Sequence, residues 1–309
     1  VANNPSLSGN LPPLDIQRAP EGGDLGAIQS GWRLALHEFL RNRLAVIGFG
    51  MLIFFVLFSY VGPLIYRTNQ TDTSLTLANL APSGAHLLGT DTNGFDELGR
   101  IMVGGQAALE IGFFAAVVAI VIGTLWGAVS GLIGGIVDSA MMRVVDIFLS
   151  VPFLFVVLIL AVKFGATVLS LSLVIGGFAW QVPARLVRGE VLTIRERDFV
   201  LAARTAGSSS WRLISRHLIP NALGVVIVNV TFQVADAILA VSYVGFLGFG
   251  LHFPNVDWGD QLSDGSNYLQ DGYWWLIFPV GACIVLTVMA LNFIGDALRD
   301  AMDVRLRRR

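Results

Sequence analysis

The sequence predicts an all-α membrane protein with six transmembrane helices, and three observations predict it. Only 14% of the 309 residues are charged, where a soluble domain carries about 25%. The chain is 54% hydrophobic, with a mean hydropathy of +0.69. Its apolar residues gather in uncharged runs of the roughly 20 residues that a bilayer core requires. The net charge of −2 gives no electrostatic case for nucleic-acid binding. Cys283 is the single cysteine, so no internal disulfide forms, and its apolar surroundings read as core packing. His37, His86, His217 and His252 are scattered without metal-ligand spacing, so neither a metal nor a cofactor is expected.

Residues 1–31 are rich in Pro, Gly, Ser and Asn and read as a disordered cytoplasmic tail, not as a cleaved leader. Residues 32–43 set Arg33, Arg41 and Arg43 beside Trp32, Leu36, Phe39 and Leu40, the pattern of an interfacial amphipathic helix. Residues 44–66 are uncharged and form the first span; with the polar outer loop they make a unit over 44–104. A core unit covers 105–296. Its first span is residues 105–131, where Gly123, Gly127, Gly131 and Gly135 recur every four residues and make a smooth stripe for close helix packing. Arg143 and Asp146 stand three apart and can pair on a helix. Spans are then expected at residues 142–162, 168–185, 221–250 and 273–295, with Lys163 closing the third span before a tight link. Residues 251–272 form a second outer loop holding Asp257, Asp260, Asp264 and Asp271. Residues 297–309 are a basic cytoplasmic tail.

Charge orients this chain. With an internal N-terminus and six spans, only Arg67, Arg100 and Lys163 lie outside, and the other seventeen of the 20 Lys and Arg lie at the inner side.

The organising stretch is the inner loop at 195–221, RERDFVLAARTAGSSSWRLISRHLIPN, with arginines at 195, 197, 204, 212 and 216. Asp198 is a candidate N-cap for a helix over 199–206, and Gly207 suits a left-handed residue after it. The serines at 208–210 can cap a second short helix, and Pro220 lies past that helix or opens the next. A basic loop that does no more than set topology would also account for the charge. On the span that follows, Asn229, Gln233 and Asp236 fall at i, i+4 and i+7 on one helical face. An ionisable residue inside a span reads as functional, so this face is a candidate pathway lining; Asp236 bonding a neighbouring helix or nearing the interface stays open.

Four motifs carry a resemblance over residues 40–305. The inner loop resembles the coupling loop of ABC-importer permeases, with Ala202, Ala203, Gly207 and Pro220 in register. Leu201, His217 and Ile219 stand where that pattern has Glu, Ile and Leu, and the first two departures resemble those of the peptide/nickel branch. HLLGTDTNGFDELGR, at 86–100, resembles the outer signature of the second, C-type permease subunit of oligopeptide and dipeptide importers, with Phe95 at a usual Arg position. GLIGGIVDSAMMRVVDIFLSVP and FLGFGLHFPNVDWG are similar to further segments of that family.

The resemblance implies a type I importer fold with both termini cytoplasmic in a bacterial or archaeal cytoplasmic membrane. It implies a second homologous permease, two ATPase subunits and an external substrate-binding protein. Asp198, Phe199, Ala202, Ala203, Arg204, Gly207, Trp211, Arg212, Arg216 and Pro220 would couple to the ATPases. His86, Asp91, Asp96, Asp257 and Trp258 would meet the binding protein. Dipeptides or oligopeptides are the implied cargo, although nickel and glycoside importers share the motifs.

The chain carries no Gly-rich loop followed by Lys-Ser or Lys-Thr, and its one lysine is Lys163, on the outer side. A phosphate loop needs such a lysine. The chain is therefore expected not to be an enzyme by itself, with ATP and Mg bound by partner subunits. Two other classes remain: an ion-coupled secondary transporter, for which no inverted repeat is visible, and a membrane scaffold, against which the polar stripe on the fifth span argues.

Overall fold

The computed structural model describes residues 39–307, with side chains described through residue 302. The expected tail at 1–31, most of the interfacial segment at 32–43 and part of the basic tail lie outside the described residues. The described residues are helical, with a single isolated β-bridge between Thr90 and Asp96 and no strand.

Four helical segments are long and apolar enough to cross a membrane: Arg43–Ile65, Glu97–Ile133, Ser210–Phe249 and Trp274–Met302. Two bent pairs bring the number to six if each pair is one span: Gly135–Ser150 with Phe153–Phe164, bent by 80°, and Val168–Ala179 with Gln181–Ile194, bent by 45°. We label the helices α1 (Arg43–Tyr60), α2 (Gly62–Ile65), α3 (Glu97–Ile133), α4 (Gly135–Ser150), α5 (Phe153–Phe164), α6 (Val168–Ala179) and α7 (Gln181–Ile194). After them come α8 (Asp198–Thr205), α9 (Ser210–Leu213), α10 (Ile219–Val244), α11 (Trp258–Ser266) and α12 (Phe278–Arg307).

Helix α3 is the mast of the bundle, and α1, α6, α7 and α10 all pack on it. Its 37 residues make it about 55 Å long at 1.5 Å per residue. The glycine stripe explains how α7 comes so close. A Cβ on Gly127 would stand 2.4 Å from the Ala184 carbonyl, and one on Gly123 would stand 2.7 Å from that of Trp180. Gly131 likewise faces Val191, whereas Gly135 faces open space, so the stripe is three residues long rather than four. Helix α12 closes the bundle against α10 and α1.

The expected third and fourth spans are not continuous helices. Pro152 disfavours a helical conformation at Val151, which is extended (φ −85°, ψ 130°), and the chain turns there between α4 and α5. Pro183 cannot donate a backbone N–H to the carbonyl of Ala179 four residues earlier. That carbonyl instead accepts from Gln233 Nε2 at 2.9 Å, and α6 and α7 part at this point. The fourth span also runs on to Ile194, nine residues beyond its expected end.

Candidate functional site

The two ends of α3 carry different surfaces. At its C-terminal end, Arg195 Nη1 donates to the Gly131 carbonyl at 2.8 Å and fixes where α7 hands over to the basic loop. Arg197 is the N-cap of α8, and Asp198, the expected N-cap, is its first helical residue, so the helix begins one residue earlier than expected. Asp198 makes no side-chain cap; its carboxylate instead favours the positive end of the helix dipole. Helix α8 ends in a Schellman motif: Gly207 N–H donates to Arg204 O at 3.0 Å and Ser208 N–H to Ala203 O at 3.1 Å. Gly207 makes this turn with φ +79°, where a Cβ would be strained. Ser209 then caps α9, accepting from the Arg212 N–H.

From α9 the helix continues through a π-helical turn, Ile214–Leu218, into α10. Pro220 opens α10, and Asn221 Nδ2 donates to the His217 carbonyl at 2.6 Å. Val200, Leu213, Ile214 and Leu218 are buried against α3 and α7 in one apolar cluster, so the loop is anchored from within. The opposite face is bare. Phe199, Leu201 and Trp211 are 40%, 42% and 65% exposed. Ala202, Arg204, Arg212, Arg216 and Pro220 are exposed around them, while Ala203 is half-buried. Arg204, Arg212 and Arg216 make no ion pair among the described residues.

Two ion pairs brace the helices behind this loop. Arg188 on α7 donates to Asp138 on α4 from both Nε and Nη2, each at 2.5 Å, and Ser130 donates to the same carboxylate. Arg185 meets Asp146 at 2.5 Å, while Arg143 stands 3.7 Å from it. The main partner of Asp146 is thus across the α4–α7 contact rather than three residues back.

At the N-terminal end of α3, the outer signature is an interior network. Asp96 caps α3 through Gly99 N–H at 2.9 Å and also accepts from Tyr66 OH at 2.8 Å. His86 Nδ1 lies 2.9 Å from the same carboxylate. Asp91 accepts from the Phe95 N–H at 2.8 Å and pairs with Arg100 at 3.1 Å. The Arg100 guanidinium lies 4.6 Å over the Phe95 ring. The second loop closes on this one. Asp257 caps α11 and also accepts from Leu251 N–H at 3.0 Å. Trp258 Nε1 donates to Ile101 O at 2.9 Å. Asp257 and Trp258 are both 0% exposed. The expected contact residues Asp91, Asp96, Asp257 and Trp258 therefore cannot present a docking face in this conformation; of the five, His86 alone is partly exposed.

The polar face of α10 divides as well. Asn229 and Gln233 are buried, and Gln233 is committed to Ala179. Only Asp236 reaches the outer surface of the chain. Sequence reasoning missed Asp138–Arg188, which join distant segments, and Glu97, which is buried directly after the α3 cap.

Comparison with known proteins agrees with this architecture. Residues 97–308 match the family described as binding-protein-dependent transport system inner membrane component. Residues 30–82 match the N-terminal TM domain of oligopeptide transport permease C. The oligopeptide transport system permease protein OppC of Haemophilus influenzae is 39% identical over 277 residues, 89% of each chain. The Escherichia coli K12 protein of the same name is 41% identical over 277 residues, 89% of this chain and 91% of that protein. The dipeptide transport system permease protein DppC of Bacillus subtilis is 37% identical over 284 residues, 92% of this chain and 88% of that protein. With more than half of its length matched by one family model, the chain is a multi-pass membrane protein that belongs to the binding-protein-dependent transport system inner membrane components.

Proposed function

We propose that this chain is the transmembrane permease subunit of an ATP-driven ABC importer of dipeptides and oligopeptides. Relatives whose names specify those cargoes align with about nine-tenths of its length. The observation that carries the coupling role is the loop at the C-terminal end of α3, rigidly backed yet presenting Phe199, Leu201 and Trp211 to the outside. A short helix with an exposed apolar face suits a groove on a soluble subunit. Burying those rings supplies most of the docking energy, while Arg204, Arg212 and Arg216 tune it.

The partners are a second homologous permease, two ATPase subunits that bind ATP and Mg, and an external substrate-binding protein. The chain itself hydrolyses nothing. ATP-driven closure of the ATPases moves Asp198, Phe199, Ala202, Ala203 and Gly207 with the loop. The handover at Arg195 and the unbroken run from α9 into α10 pass that motion to α7, α3 and α10 as a rigid-body rock. Cargo passes between the two permeases in alternating access. The coupling energy is the difference in loop contacts between the two states. Asp236 faces that path, with Asn229 and Gln233 behind it on the same side of α10. His86, Asp91, Asp96, Asp257 and Trp258 shape the surface that meets the binding protein, largely from beneath it.

Proteoliposomes holding the complete complex, loaded with ATP and supplied with binding protein and a labelled tripeptide, test this reading. Uptake is expected to need ATP and to stop with vanadate. Uptake that persists without ATP and follows an ion gradient overturns it.

A further inference from the structure

Helix α10 is the middle of a longer rod. Ser210–Phe249 forms one helical segment of 40 residues, from α9 at the basic loop to the outer end of the bundle. A π-helical turn stands at each end of α10, Ile214–Leu218 beside the loop and Gly245–Phe249 on the outer side. Helices bend at such turns, which gather at functional sites. Within the outer one Gly248 is left-handed, with φ +80°. The rod is therefore stiff along α10 and jointed at its two ends.

The outer joint is clasped to α11 by one carboxylate. A Cβ on Gly245 would collide with Asp257 Oδ1, and one on Gly250 would collide with Asp257 Oδ2. Gly259, on α11, likewise leaves no room for a Cβ beside the Ser242 carbonyl of α10. Both carboxylate oxygens are in use. Oδ2 accepts from the Leu251 N–H at 3.0 Å, two residues past the π turn, and Oδ1 from the Asp260 N–H at 2.9 Å, within α11. Asp257 is fully buried, so water does not compete for either bond. On its other side α11 is tied to α3, through Trp258 Nε1 to the Ile101 carbonyl at 2.9 Å and Gln261 Nε2 to the Arg100 carbonyl at 3.1 Å. Without the clasp, the outer joint would let α10 move and leave α11 behind.

We infer that Asp257 is a positioning residue for transport, the clasp through which movement of the basic loop, carried along α10, reaches α11 and the outer surface. The inference rests on the importer reading above and extends its motion from α10 to the outer loop. Coupling between two sites is reciprocal, so a binding protein docked on the outer loops acts back through the same carboxylate on ATP hydrolysis.

The test uses the complete complex in nanodiscs and compares ATP hydrolysis with and without saturating, peptide-loaded binding protein. An amide offers one acceptor atom where a carboxylate offers two, so Asp257→Asn keeps either the α11 cap or the Leu251 bond and loses the other. Gly250→Ala drives a methyl group into the same contact from the opposite side. Each should cut the effect of the binding protein on hydrolysis about tenfold, while Asp271→Asn, an exposed acid at the same end, should leave it intact. In an otherwise unaltered clasp, an environment-sensitive dye on Ser266→Cys, exposed on α11, should change its emission when vanadate traps the ATPase subunits; Cys283→Ser removes the native thiol. A dye that does not respond overturns the clasp even if neither variant assembles. So does an effect on hydrolysis that survives Asp257→Asn or Gly250→Ala, or that returns in full at higher binding-protein concentration; the importer reading then stands. A wild-type complex that ignores the binding protein and takes up no peptide overturns the importer reading itself.

Discussion

Asp236 places a carboxylate on an exposed face of α10 with no ion pair or hydrogen bond among the described residues. Turned to lipid, such a group costs about 2.5–3.5 kcal/mol or more, so it needs water or another protein surface beside it. Asp236→Ala is expected to cut peptide uptake tenfold or more while the complex assembles normally; unimpaired uptake removes it from the path. Asp138 is the contrasting case, a nearly buried carboxylate held by Arg188. Asp138→Asn leaves a partly buried guanidinium without its counter-ion, a loss between the ~1 kcal/mol of a surface pair and the ~3–5 kcal/mol of a buried one. The double variant Asp138→Asn with Arg188→Gln should lose less than the sum of the single losses in thermal melts of the purified protein. Single residues were read unevenly from sequence. Asp236 announced itself by lying in an apolar run, but nothing along the chain tells that Asp138 meets a residue fifty positions away. Nor could it show that Trp258 and Asp257 point inward, since a polar loop motif looks the same whether its side chains face solvent or each other.

At the scale of elements, helix termini and the packing stripe were legible because their chemistry is local. Gly207 and the serines after it fix the turn between α8 and α9 by backbone geometry, and the close approach at Gly127 follows from a four-residue repeat. Gly127→Val puts two methyl groups where a Cβ already meets the Ala184 carbonyl at 2.4 Å. A destabilisation of about 1–3 kcal/mol is expected from such overpacking, read as a lower melting temperature. The two bends were not legible, because hydropathy does not change where a helix breaks. Pro152 and Pro183 supplied the signal, but only the fold shows that Gln233 takes up the carbonyl that Pro183 leaves. Helix α11 adds a pH response. Burial, then repulsion from Asp264 and Asp257, raises Asp260 above its ordinary 3.8 to about 6, and burial raises Asp264 as well. An acid with a raised folded-state pKa adds stability below its unfolded value and loses that contribution as pH rises through the folded one. Protection factors of the α11 amides, corrected for the intrinsic pH dependence of exchange, should therefore be higher near pH 4 than at pH 7, and Asp260→Asn should flatten that difference.

For the whole molecule, the deciding property is that α3 separates two chemically unlike ends. One end carries the outer loops around Asp96, Arg100 and Trp258; the other carries Arg188, Arg195 and the arginines of α8 to α10. We propose from charge that the end carrying the basic loop faces the cell interior. The six-span topology expected from sequence puts seventeen of the 20 Lys and Arg on the side of the basic loop, and moving such a bias across the membrane opposes the rule that orients membrane chains. Orientation can be read with single cysteines in a Cys283→Ser background. Thr205 and Leu87 are exposed at opposite ends of the bundle. A membrane-impermeant maleimide applied to intact cells should label Leu87→Cys and spare Thr205→Cys until the membrane is opened. The reverse pattern would put Phe199, Leu201 and Trp211 outside the cell, beyond reach of any ATP-hydrolysing subunit, and the loop could then not be where energy enters.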